Sequence, residues 1–147
     1  MTNLKEGFVA GFVATIVLSA LMIMKQMMGL MPELDIAKML AGIVGAPTPI
    51  VGWVIHFIIG TFIWGGLFTV FDARLPGGHV INGMIFGTLA WVLMMVIAMP
   101  MAGAGPFGLN LGIMAPVMTL VLHLVYGAVL GWVYGALLRR SAAAHAS

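Results

Sequence analysis

The sequence predicts an all-α fold: a polytopic membrane four-helix bundle built from two parallel two-helix repeats, plus a short interfacial helix. Three observations predict it: the composition, four long apolar runs, and two residue patterns that each occur twice. Hydrophobic residues make up 63% of the 147 positions and charged residues only 7%, whereas a soluble domain carries about 25% charged residues. The surface must therefore face lipid, and residues 1–147 form a single membrane domain.

Four apolar runs are long enough to span a bilayer, because a hydrocarbon core of about 30 Å needs about 20 helical residues. They cover residues 7–28, 50–71, 80–101 and 115–138. A Pro-Gly-Gly turn joins the second run to the third, and a glycine- and proline-rich segment joins the third to the fourth. Residues 139–147 form a polar tail.

The first connection is longer and predicts an amphipathic helix over residues 32–44. Pro32 suits the first turn of a helix, and Glu33 and Asp35 favour the positive end of the helix dipole. Gly45 is a suitable terminator. Such a helix, apolar on one side and short, is typical of the membrane interface.

Two patterns recur in corresponding runs and indicate a duplication, with repeat one over about 5–71 and repeat two over about 80–138. The first run contains G-x3-G-x2-A, and the third run repeats it. The second run contains P-x6-H-x3-G, and the fourth run repeats it. The matching residues are Gly7, Gly11 and Ala14 with Gly83, Gly87 and Ala90, and Pro49, His56 and Gly60 with Pro116, His123 and Gly127. Both units have two spans, so the copies are parallel.

Lysine and arginine predict the orientation, since they are enriched in cytoplasmic segments. Lys5, Arg74, Arg139 and Arg140 share the side of the two termini, against Lys25 and Lys38 on the other side. We therefore expect a multi-pass protein with both termini in the cytoplasm.

The strongest functional clue is a pair of intramembrane histidines, His56 and His123. Each follows a helix-opening proline by seven residues, which places both imidazoles about 10 Å below the outer boundary. A polar side chain at that depth needs a partner, because an unsatisfied polar group is costly in hydrocarbon. In a cyclic bundle the second and fourth spans are diagonal, so the histidines form one layer in the outer half.

Small residues and methionines surround this layer. Gly52 and Gly60 lie one turn from His56, and Gly127 lies one turn from His123, where glycine permits close helix approach or leaves room for a flat cofactor. Helical phase also places Met22 and Met94 at this depth on the small-residue faces of the first and third spans. All four spans thus supply one ligand-capable side chain at one level.

Three interpretations of the layer stay open. The histidines hydrogen-bond across the bundle as structural links in an accessory or assembly subunit of a larger membrane complex. Alternatively, they ligate haem b between the second and fourth spans. Against this, the outer side has no arginine to pair with the propionates, and Lys25 and Lys38 are the only candidate cations. In the third interpretation, His56, His123, Met22 and Met94 bind or transport copper(I), which soft thioether ligands select.

Several classes of function are disfavoured. The chain has no cysteine, which excludes disulfides, thiolate catalysis and Cys-ligated zinc. Its aromatic residues lie in apolar runs away from basic residues, so we expect no nucleic-acid partner. No span contains a carboxylate and we find no complete catalytic arrangement, so we expect no enzyme; His79, after the Pro-Gly-Gly turn, is interpreted as a solvated loop residue. The expected partners are the lipid bilayer and either other membrane subunits or a second copy.

Four stretches carry a resemblance to a known family. They are MGLMPELD at 28–35, GWVIHF at 52–57, WVLMM at 91–95 with MPMAGAG at 99–105, and MAPVMTLVLH at 114–123. Together they resemble a family of small four-helix bacterial membrane proteins that is classified as a domain of unknown function. The resemblance covers nearly the whole chain and implies a bacterial inner membrane and four spans. It implies no activity and no functional residues.

Overall fold

The computed structural model describes residues 3–145, and its long helices are those that the apolar runs predict. The helices are α1 (Leu4–Met27), α2 (Ile36–Ile43), α3 (Pro49–Asp72), α4 (His79–Met101) and α5 (Met114–His145). All but α2 are long and apolar enough to cross a membrane. The predicted all-helical fold, with four helices that could span a membrane, is confirmed. Helix α5 continues through the described part of the segment that we expected to be a polar tail.

The outside of the bundle is as apolar as its inside. Only 33–39% of the most apolar stretch of each long helix is buried. Large side chains such as Ile50 and Trp132 are 69% and 63% exposed. Soluble monomers rarely expose contiguous apolar surface on this scale, so the outer surface fits hydrocarbon.

The short helix α2 lies in the first connection, as predicted, but it begins later. The predicted start at Pro32 is wrong, because Asp35 is the N-cap residue and its Oδ1 accepts a hydrogen bond from the Lys38 amide at 3.1 Å. The predicted terminator is confirmed: Gly45 has a φ of 68°. The amides of Gly45 and Ala46 bond back into the last turn, which is the pattern of a Schellman cap.

The four long helices form a ring in which α1 and α4 each pack against both α3 and α5. Helices α3 and α5 therefore lie across the bundle from each other. Glycines permit the closest crossings: a Cβ on Gly11 would lie 2.7 Å from the Gly60 carbonyl oxygen, and one on Gly127 would collide with the backbone of Gly83. Each predicted two-helix unit thus has a glycine-lined crossing, while the duplication itself stays a prediction.

The two ends of the bundle are built differently. The end that carries Leu4 and Arg139, here called the terminal end, holds the aromatic core. Phe68 is fully buried there, with ring centroids 5.4 Å from those of both Phe86 and Tyr134. The opposite end, here called the α2 end, holds two π-helical segments, Ile59–Trp64 in α3 and Met94–Ala98 in α4. Such segments are rare in helices and frequent at functional sites.

Candidate functional site

A cavity of about 350 Å³ lies in the bundle toward the α2 end. Its walls come from all four long helices, and Leu34, Ile36 and Leu40 of the α2 region cover it. Five of the predicted site residues line it: Met22, His56, Gly60, Met94 and His123. The structure therefore brings together the histidine and methionine layer that helical rise and phase predict. Both π-helical segments contribute to the walls.

Two predicted cofactor-binding glycines lie at helix contacts instead of on the cavity wall. Gly52 is pressed against the backbone of Ala37 in α2, and Gly127 against the backbone of Gly83 in α4. A Cβ at either position would collide with main-chain atoms. We expected a glycine beside a histidine either to permit close helix approach or to leave room for a flat cofactor. Gly52 and Gly127 permit close helix approach.

His123 is held in a defined tautomer. Its Nδ1 lies 2.8 Å from the carbonyl oxygen of Thr119, one turn earlier in α5. A carbonyl only accepts, so Nδ1 carries the proton and Nε2 of the neutral ring keeps its lone pair. Histidines that ligate metals commonly have this arrangement, because the hydrogen bond fixes the ring and raises its basicity.

Thr119 is fixed in turn by α4. The Trp91 indole N–H donates to the Thr119 hydroxyl at 3.1 Å, and that hydroxyl lies 2.7 Å from the Ala115 carbonyl oxygen. The carbonyl that orients His123 thus belongs to a residue tied to two helices. Thr119 orients His123 through its main chain, not through its hydroxyl.

His56 is the unsatisfied member of the pair. Its Nε2 is buried and has no hydrogen-bond partner among the described residues. The ring lies edge-on to two aromatic neighbours, Trp53 at 5.8 Å and Phe57 at 6.1 Å between centroids. A buried nitrogen without a partner costs about 1–3 kcal/mol. Ser19, Thr61 and Asn82 also have a buried side-chain atom without a partner among the described residues, but of these four residues His56 is the one that lines the cavity.

Tyr126 is a site residue that the sequence analysis missed. Its hydroxyl donates at 2.7 Å to the carbonyl of Gly60, across the bundle in α3. That carbonyl also accepts the Gly65 amide in the π-helical segment. Tyr126 lies one turn after His123, on the same face of α5, and this spacing was the available signal. The bond ties the two histidine-bearing helices together just below the layer.

Lys25 is buried at the edge of the cavity, with only 6% of its surface exposed. Its ammonium donates to the carbonyls of Leu30 at 3.1 Å, Met31 at 2.8 Å and Leu34 at 2.8 Å. All three ammonium hydrogens are thereby used, so Lys25 fixes the connection to α2 and is not free for a propionate. Lys38 is the other predicted cation and is 70% exposed, with a weak 3.4 Å contact to Asp35.

A second polar cluster lies at the terminal end. Asp72 is buried and accepts from Asn82 Nδ2 at 2.9 Å, while His79 Nδ1 lies 2.8 Å from its other oxygen. The interpretation of His79 as a solvated loop residue is wrong, because His79 opens α4 and packs its ring against Tyr134. The pair flanks the Pro-Gly-Gly turn, which folds the two residues together.

The chemistry available in the cavity follows from this inventory. In residues 3–145 no group of three or more His, Cys, Asp or Glu side chains is placed to hold a metal ion. Two imidazoles alone suit a metal that brings its own ligands, as in a porphyrin, or one that also accepts thioethers.

Comparison with known proteins supplies a family. No curated protein and no solved structure matches the chain. The model of DUF6789, described as a family of unknown function, matches residues 1–145, which confirms the resemblance to an uncharacterised family. The chain therefore belongs to the DUF6789 family.

Proposed function

We propose that this is a small integral membrane protein that binds haem b between His56 and His123. One observation carries the proposal: the two imidazoles, on helices that face each other across the bundle, line one cavity. The buried Nε2 of His56 lacks a partner, and Nε2 of His123 carries a lone pair. Two neutral imidazoles on opposite helices could hold the iron of a b-type haem between them.

The surroundings support a planar organic ligand over a bare ion. The cavity volume of about 350 Å³ lies at the lower end of small-molecule sites, which span roughly 300–1,000 Å³, so a molecule of the size of haem would enter only if the helices moved apart. Apart from its few polar groups the wall is apolar, as in cofactor sites inside helical bundles. Ligation by both histidines would leave a bound haem iron without a free position for substrate. A binding or electron-transfer role, without catalysis, follows.

Absorption spectroscopy of the detergent-purified protein, oxidised and then reduced, tests the proposal. We expect a Soret band that sharpens on reduction, with resolved α and β bands. His56→Ala and His123→Ala should each abolish or shift these bands, whereas His79→Ala should leave them unchanged. Protein expressed with ample haem that shows no Soret band contradicts the proposal.

Copper(I) is a second candidate because Met22 and Met94 also line the cavity. Imidazole and thioether ligands together select this ion. Metal analysis of the same sample distinguishes the two: near-stoichiometric copper, reduced by Met22→Leu and Met94→Leu, favours the ion. With neither cofactor present, the histidines become structural links in an accessory or assembly subunit, partnered with other membrane proteins or a second copy.

We also propose that the chain lies in a bacterial inner membrane with both termini in the cytoplasm. The exposed charges support this orientation. Lys5, Arg74, Arg139 and Arg140 are all exposed at the terminal end. At the α2 end the charge of Lys25 is buried against three carbonyls. The exposed positive charge is therefore more one-sided than a count of residues indicates.

A further inference from the structure

The four seams between neighbouring helices are not equally closed. The α1–α3 seam is closed by Gly7 and Gly11 against the backbone of α3, and the α4–α5 seam by Gly83 and Gly87 against the backbone of α5. Helices α1 and α5 also pack extensively. These contacts close three of the four seams up to the level of Gly60 and His123, while the Pro49–Ile58 part of α3 has few contacts with α1.

The α3–α4 seam is the sparsest of the four, and its contacts centre on the Gly65–Asp72 part of α3 and the adjoining Trp64. There the ring of Phe86 packs against Trp64, Phe68 and Phe71, with centroids 5.2–5.8 Å apart. This aromatic cluster forms a floor. Toward the α2 end, beyond that floor, the two helices lack comparable contacts.

Two α4 residues mark the opening above the floor. Leu93 and Ile97 both line the cavity, yet they are 46% and 53% exposed on the outside of the bundle. A side chain that touches both the cavity and the exterior lies at a mouth. Because both residues are within the apolar span His79–Met101, this mouth faces hydrocarbon.

The aqueous side of the cavity is covered. Leu34 is 6% exposed and lies over the cavity together with Ile36 and Leu40. Lys25 is hydrogen-bonded to the connection that leads into α2. Gly52 has no side chain, which lets α2 pack directly against the backbone of α3. A molecule in water therefore meets a packed cover, whereas a molecule in the bilayer meets a gap.

We infer that the cavity exchanges its ligand with the bilayer, through a lateral portal between α3 and α4 bordered by Leu93 and Ile97. The ligand class is a membrane-dissolved molecule with an apolar body and a centre that binds imidazole. Its identity as haem rests on the proposed function. The portal itself stands on the open seam and is tested without any cofactor.

The first experiment asks what reaches the cavity wall. Trp64 lines the cavity, and its emission is isolated as the difference between the chain and its Trp64→Phe variant. Haem-free protein is reconstituted in phosphatidylcholine vesicles whose acyl chains carry bromine. We expect bromine to quench Trp64 and aqueous iodide to leave it unquenched. Quenching by iodide, with none by bromine, overturns the portal.

The second experiment plugs the portal with a matched control. Ile97 and its neighbour Val96 are each 53% exposed, but only Ile97 lines the cavity. Ile97→Phe should remove most of the bromine quenching and slow uptake of haemin from vesicles about tenfold. Val96→Phe should do neither. A portal at this place is contradicted if the two variants have the same effect, or if neither has any effect.

The two proposals fail separately. If haemin never binds while bromine quenching still depends on Ile97, the haem proposal falls and the lipid-side portal stands. If haemin binds through both histidines at a rate that Ile97→Phe does not change, haem binding stands and the portal falls.

Discussion

The terminal end and the α2 end of this bundle differ in how tightly their side chains pack and how fully their buried polar atoms are hydrogen-bonded. At the terminal end Phe68 and Leu130 are fully buried, and the buried Asp72 carboxylate is bonded on both oxygens. At the α2 end the helices widen into π-helical segments, enclose a cavity and leave His56 Nε2 without a partner. The same four helices thus contain one half optimised for stability and one half that sacrifices packing.

The contrast teaches where to look for function in a protein without a catalytic motif. Native folds rarely leave a buried polar atom unpaired or a cavity open unless something else fills the space. Both features coincide at His56. The polar cluster at the terminal end bonds both oxygens of Asp72 and leaves Asn82 Oδ1 unpaired within residues 3–145, but Asn82 does not line the cavity. We therefore assign the scaffold to the terminal end and place the proposed site at the α2 end.

The largest effect should come from breaking the scaffold at a glycine crossing. Gly127→Ala places a methyl group in the backbone of Gly83, so the free energy of unfolding should fall by about 3 kcal/mol or more. Gly42→Ala is the matched control: nothing lies within 4 Å of its Cβ position in α2. That change should be neutral or stabilise by up to about 1 kcal/mol. Unfolding by titration with a denaturing detergent measures both; equal losses would contradict the crossing.

The next largest effect should come from the polar cluster of Asp72, His79 and Asn82 at the terminal end. Asp72→Ala removes the acceptor of the Asn82 amide and the partner of His79, so stability should fall by about 2 kcal/mol. Asp72→Asn keeps an acceptor and should recover part of the loss. The same unfolding titration measures both variants, and a silent Asp72→Ala would show that the cluster does not hold the turn.

A smaller and more local effect is expected at the cover of the cavity. Lys25→Met keeps the length of the side chain but removes three hydrogen bonds to carbonyls. We expect faster amide hydrogen exchange in residues 28–36 and unchanged exchange near Asp72 at the terminal end. Hydrogen exchange with mass spectrometry resolves these segments. Uniform acceleration along the chain would mean that Lys25 supports the whole fold instead of the cover.

The smallest expected effect gives the most direct comparison of the two ends of the bundle. In haem-free protein, His56→Ala removes a buried imidazole whose Nε2 has no partner, so stability should change by less than about 1 kcal/mol. His79→Ala, at the terminal end, removes a partner of the Asp72 carboxylate and should lower the free energy of unfolding by about 1–2 kcal/mol. If His56→Ala is the more damaging of the two in haem-free protein, His56 has a structural bond and the case for an occupant weakens.

Much of this architecture is readable from the sequence because a bilayer imposes simple rules. Run length predicts the four spans, and helical phase with rise brings Met22, His56, Met94 and His123 to one cavity. What the sequence does not show is local geometry. The bond between Tyr126 and Gly60 depends on a π-helical carbonyl, and the ammonium of Lys25 meets three carbonyls because Met31 adopts a positive φ of 47°. Neither conformation leaves a periodic signature. The later start of α2 reflects capping by Asp35, which competes with Pro32 as a first-turn residue.

The central claim is that the α2 end holds a ligand between two histidines, and native mass spectrometry of the protein released from its own membranes tests it most directly. We predict a population carrying the mass of one haem per chain, absent from His56→Ala and His123→Ala and retained in His79→Ala. A bare polypeptide mass in the unsubstituted protein, from cells supplied with haem, would contradict the claim.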